Sequence, residues 1–117
     1  MVALTLDSAQ AELREPTPQE IVEFYFKDKA NIALAIAQCE SGQQQFKKDG
    51  TVVRSDTRDS GFFQINDIHL PEAQKMGLDV KNSLYDNIIM AKHIYDTAGS
   101  FKPWTTYRNG CYKTHLK

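Results

Sequence analysis

The chain has 117 residues, room for one domain with a single modest core. Its 14 Lys and Arg stand against 15 Asp and Glu, a formal net charge of −1, which leaves no electrostatic footprint for DNA or RNA. No run is long and apolar enough to cross a bilayer, so no membrane span is expected.

Residues 1–16 read as an arm or weak first helix, with mixed charge and no firm period. Met1–Leu6 is apolar but lacks a basic lead-in and an adequate apolar core, so it is not read as a signal peptide. The main domain is expected over 17–117. It opens at Thr17-Pro18-Gln19-Glu20, which combines a hydroxyl cap, a first-turn proline and a carboxylate three residues after the cap. Ile21, Val22, Tyr25 and Phe26 continue as an apolar helical stripe. The Ala-rich run Ile32–Ala37 is nearly free of charge and reads as a buried helix leading into Cys39-Glu40-Ser41-Gly42.

The pattern changes over 42–66. Lys48-Asp49-Gly50 signals a turn, and Thr51–Val53 and Phe62–Ile65 are strand candidates, the second following Asp59-Ser60-Gly61. A small antiparallel hairpin or sheet of two or three strands is expected. Pro71–Met76 then reads as a short helix closed by Gly77. A longer helix follows, capped by Ser83 with Asp86 three residues on and ended by Gly99. Pro103-Trp104 opens a last helical turn that leads to Asn109-Gly110-Cys111. The fold class is α+β, predominantly helical, with a small sheet inserted in the middle.

Three positions carry candidate chemistry. Glu40 ends the most apolar helix. A carboxyl group at that border is either desolvated, with the raised pKa a general acid requires, or a surface group at a helix C-terminus. Gln64 interrupts an apolar run between Phe63 and Ile65. It either lines a cleft, where it can bind a sugar or orient Glu40, or faces water from an amphipathic strand. Asp59 faces Glu40 across the expected hairpin. Two carboxyl groups over a cleft are the minimal kit for glycoside hydrolysis. Asp56 competes for that second role, and both are also ordinary turn-forming residues. Trp104 and Tyr107 have the flat apolar faces on which pyranose rings stack, while core packing is the competing use of Trp104. His69 is read as a surface residue. His69, His93 and His115 are scattered, and Cys39 and Cys111 form no Cys-x-x-Cys pair, so no zinc site, other metal or cofactor is expected. On their own, two cysteines are equally compatible with free buried thiols.

Ile36-Ala37-Gln38-Cys39-Glu40-Ser41-Gly42 followed by Gly61-Phe62-Phe63-Gln64-Ile65-Asn66 resembles the lysozyme-like superfamily. That superfamily includes lysozymes, soluble lytic transglycosylases and resuscitation-promoting factors. The resemblance covers roughly residues 30–112. It implies a lysozyme-like fold with Glu40 as catalytic acid. Ser41, Phe62, Gln64, Asn66, Trp104 and Tyr107 are implied as substrate contacts. Asp59 matches the place of the second catalytic carboxylate in chicken-type lysozymes. The Cys-Glu-Ser-Gly run with a late Trp and Cys resembles resuscitation-promoting factors, which implies a Cys39–Cys111 disulfide and an extracellular or cell-envelope location. The bulky Phe62-Phe63 pair departs from the family's usual Gly-Leu-Met-Gln, and Tyr107-Arg108-Asn109-Gly110 is displaced by one from the Tyr-Asn-x-Gly of lytic transglycosylases. The implied partner is the peptidoglycan glycan strand, with the chain acting as a monomer. The implied reaction is cleavage of the β-1,4 bond between N-acetylmuramic acid and N-acetylglucosamine, by hydrolysis or by lytic transglycosylation. A wall-binding module without catalysis is the reading from a different class.

Overall fold

The first described helix begins where the hydroxyl cap predicts. The structure is a computed structural model describing residues 14–117, so residues 1–13 of the expected arm lie outside it. Helix α1 spans Pro18–Phe26. Thr17 Oγ1 accepts from the Glu20 amide, and Glu20 Oε1 accepts from the Thr17 amide, which satisfies two donors the helix end would otherwise leave open. Ile21, Val22 and Phe26 face inward.

A 3₁₀ turn at Lys27–Lys29 leads to helix α2, Ala30–Ser41. Alanine costs the least entropy in a helix and permits close approach of neighbours. Ala30, Ala33, Ala35, Ile36 and Ala37 are all buried. The helix stops at Gly42, whose left-handed φ of 67° lets the Gly42 and Gln43 amides reach back to the carbonyls of Gln38 and Ala37. That termination leaves Glu40 in the last turn, at the edge of the core.

The sheet has two strands, β1 (Asp59–Ser60) and β2 (Ile65–Asn66). They are antiparallel, with Asp59 opposite Asn66 and Ser60 opposite Ile65. The hairpin is present, but its strands differ from those expected. Thr51–Val53 contributes only the isolated bridge of Val52 with Phe46. Phe62 and Phe63 belong to the turn between the strands. Successive strand side chains point to opposite faces, so a strand with one wet face cannot bury both. As part of a turn sunk into the core, both become inaccessible. The turn needs left-handed backbone at Gly61 (φ 79°) and at Gln64 (φ 50°).

A 3₁₀ turn at Asp67–His69 leads into α3, Leu70–Lys75. Helix α4, Leu84–Ala98, is capped by Ser83 as expected and closed at Gly99. The short α5, Thr105–Arg108, precedes a final 3₁₀ segment, Cys111–His115. The core joins α1, α2 and α4 to the hairpin turn through an aromatic group. Phe63 lies 5.6 Å from Phe26 and 6.1 Å from Trp104, and Phe101 lies 6.0 Å from Trp104, between ring centroids. A Cys39–Cys111 disulfide ties the end of α2 to the C-terminal segment. Closing so long a loop is worth about 4 kcal/mol by restricting the unfolded chain. No helix among the described residues is long and apolar enough to cross a membrane.

Candidate functional site

The end of α2, the hairpin and the segment entering α5 enclose an open groove of about 310 Å³. Glu40 enters it from α2, Asp59 from β1, Gln64 from the turn, and Trp104 and Thr106 from the start of α5. Ile65, Ile94 and Pro103 add apolar surface between these polar groups, a mixture suited to the two faces and the hydroxyl edge of a sugar.

Glu40 is half-buried, and its pKa lies above the ordinary carboxylate range. Desolvation is the main cause. The negative charge of Asp59 adds to it, while a hydrogen bond from Thr106 opposes both. Thr106 Oγ1 donates to Glu40 Oε2 at 2.6 Å, which orients the carboxyl group. Removing this hydroxyl deprives the charged form of its donor and raises the pKa further. If Glu40 is the acid, Thr106→Val therefore moves the alkaline limb of a pH–rate profile to higher pH and leaves the acid limb in place, as kcat/KM on purified sacculi measured across pH will show.

Asp59 has the opposite environment. Burial pushes its pKa up, but hydrogen bonds from Thr57, Ser55 and Asn66 outweigh burial, and the nearby Arg54 adds to them, so the carboxyl group is held below its usual range. Ser55 Oγ donates at 2.7 Å and Asn66 Nδ2 at 2.9 Å, and the Thr57 hydroxyl donates to the same Asp59 oxygen as Ser55. Arg54 itself grips Asp67 with both guanidinium nitrogens and donates to Ser60 Oγ. One groove thus holds two carboxyl groups whose surroundings drive their pKa values apart, the arrangement that divides acid and anion roles.

The other sequence candidates are placed unequally. Gln64 is buried, and its Nε2 donates to the carbonyls of Val53 and Gly61 at 3.1 and 2.9 Å. These bonds hold its side chain in the groove wall without a bond to Glu40. Asn66 lines the groove while donating to Asp59 and the Thr57 carbonyl and accepting from the Ile68 amide. Trp104 combines both uses weighed for it. It is only 6% exposed and donates from Nε1 to the Phe63 carbonyl at 2.9 Å, and it also lines the groove.

Ser41, Phe62 and Tyr107 stand outside the groove wall, as does the exposed Asp56. Ser41 donates to the Phe62 carbonyl at 2.7 Å and so fastens α2 to the turn. Phe62 is fully buried, and Tyr107 stacks on Tyr112 with centroids 4.8 Å apart. His69, read from sequence as a surface residue, is half-buried and lines the groove. His115 and both disulfide sulfurs lie within 4.8 Å of one another, but sulfurs bonded to each other are not thiolate ligands for a metal.

Sequence reasoning missed Thr106, Ser55 and Thr57, whose roles depend on partners brought in by the fold. It also missed the two amides that hold the turn. Gln45 Oε1 accepts from the Phe62 amide, and Asn87 Oδ1 accepts from the Phe63 amide, both at 2.8 Å. A Cβ on Gly61 would sit 2.4 Å from Gln45 and 2.5 Å from Asn87. Glycine is required there by space as well as by backbone angle.

Searches of curated proteins and of solved structures gave no match. A family model described as a lysozyme-like domain matches residues 25–106, from the end of α1 through the groove to Thr106. With that match spanning most of the chain, and a helical fold carrying a small antiparallel hairpin beside the groove, the protein belongs to the lysozyme-like domain family.

Proposed function

We propose that the protein is a muramidase that hydrolyses the β-1,4 bond between N-acetylmuramic acid and N-acetylglucosamine in peptidoglycan. Family membership supports a peptidoglycan-acting glycosidase in general terms. The observation carrying the finer reading is the opposite displacement of the Glu40 and Asp59 pKa values within one groove. Glu40, whose protonated form is favoured by desolvation, gives its proton to the glycosidic oxygen as the bond to the sugar carbon breaks. Asp59, kept ionised by its hydrogen bonds, stabilises or captures the cationic carbon. The Glu40 carboxylate then takes a proton from the attacking water and is restored. The disulfide and the family fit an extracellular or envelope location.

Asp59→Asn is the discriminating substitution. It keeps shape and removes charge, so hydrolysis assisted by two carboxyl groups should slow by about 100-fold or more. Mass spectrometry of muropeptides released from purified sacculi gives the product class in the same assay. Reducing-end muramyl products support hydrolysis. Undiminished release of 1,6-anhydro products by the variant assigns a lytic transglycosylase, in which Glu40 alone acts as acid and then base and the muramyl 6-hydroxyl replaces water.

A further inference from the structure

Beside the groove lies a second cavity of about 570 Å³, which shares His69, Ile94 and Pro103 with it, so the two adjoin. The new cavity has a different chemistry. Met90, Ile94, Ala98 and Pro103 supply a mainly apolar wall. Its polar lining includes the exposed Glu72 and Thr97, with His93 Nε2 lying 3.7 Å from Glu72. A pyranose ring carries hydroxyls around its edge, and burying them against such a wall without partners is unfavourable. Small alkyl groups joined by amides fit better.

We infer that this cavity receives the lactyl-peptide substituent that muramyl residues carry. The inference rests on the glycan-cleaving reading of the adjoining groove and names the part of the substrate that reading leaves out. His69 stands at the junction of groove and cavity, where a chain leaving the sugar ring enters. Burial and the neighbouring His93 hold its pKa below the usual histidine value, so the ring is neutral near neutral pH. A neutral imidazole has one N–H donor and one acceptor, which complements a peptide amide. The apolar wall beyond then covers the lactyl and alanyl methyl groups. On this account the protein recognises glycan strands with their peptides attached and handles stripped strands or chitin less well.

The test uses binding, so that it is independent of turnover. Isothermal titration of the Glu40→Gln protein compares two tetrasaccharides of alternating N-acetylglucosamine and N-acetylmuramic acid, one bearing an Ala–isoglutamine dipeptide on each lactyl group and one without peptide. The peptide-bearing ligand is expected to bind about fourfold tighter, the size that the one buried alanyl methyl group it adds supplies, since both ligands carry the lactyl methyl. Thr97 is exposed and lines the cavity, so Thr97→Trp in the same background fills it and should bring the ratio close to one. Equal affinities before that substitution would overturn the inference. Equal weakening of both ligands by Thr97→Trp would also overturn it, by assigning the cavity to sugar. Binding of neither ligand would refute the glycan reading itself, a result distinct from loss of the preference alone.

Discussion

Glu40→Gln should leave the protein folded and lower glycan cleavage by about 10³-fold or more, within the range set by removal of a general acid. Gln matches the shape of the protonated side chain and can still accept the 2.6 Å hydrogen bond from Thr106, so the groove keeps its form. What it cannot do is release a proton to a leaving oxygen. Stability should move in the other direction. Because the Glu40 pKa is raised on folding, the folded state binds more protons than the unfolded chain between the two values. The stabilisation from this group is complete below the unfolded value and is lost as pH rises through the folded one. The Gln variant escapes that loss, and its Tm near neutral pH should equal or exceed that of the parent. Sacculus digestion and thermal melts on the same preparation check both halves. Activity near the parent level would remove Glu40 from the mechanism.

Asn87→Leu should be the most destabilising single change outside the groove. Asn87 is fully buried on α4 and satisfies three backbone groups at once. It accepts from Phe63 and donates to the carbonyls of Ser60 and Val80 at 2.8 and 2.9 Å. Gln45 Nε2 also donates to Val80 O, so that carbonyl keeps one partner in the variant. The Phe63 amide loses its acceptor and the Ser60 carbonyl loses the bond it accepts from Asn87, and each buried group left unpaired costs about 1–3 kcal/mol, for a total of about 2–6 kcal/mol. Urea titration should show a lower midpoint with an unchanged slope. Activity should fall even in the folded fraction, because Ser60 adjoins Asp59 and the loosened turn carries Gln64.

These two residues show what was legible in the sequence and what was not. Helix starts were legible because a cap is a local event. Thr17 with Glu20 and Ser83 with Asp86 make their bonds within three residues. The place of Glu40 was legible for a related reason, since an apolar run and a glycine stop set where the helix ends. The hairpin was located, but its strands were displaced. An apolar run of four residues fits a strand and a buried turn equally well, and what decides is whether a polar partner waits in the core. Here the partners are Gln45 and Asn87, which come from 17 and 24 positions away in the chain. Thr106 is the extreme case, reaching Glu40 across 66 positions. A hydroxyl that acts only through a distant partner leaves no local pattern. Phe62 and Tyr107 illustrate the converse, because aromatic residues near a groove serve packing as readily as sugar stacking. Tyr107 packs on Phe101 and Tyr112, and Phe62 sinks with a turn held by the distant Gln45 and Asn87, uses that residue type alone does not announce.

The most direct measurement is a ¹³C NMR titration of the Glu40 side-chain carboxyl group, assigned by comparison with Glu40→Gln. The account predicts an inflection above the ordinary glutamate value of about 4.3, with Asp59 titrating below its own ordinary value in the same experiment. A Glu40 carboxyl group that ionises at or below the ordinary value would show it to be solvated and already without its proton at neutral pH, and the proposed acid would be contradicted.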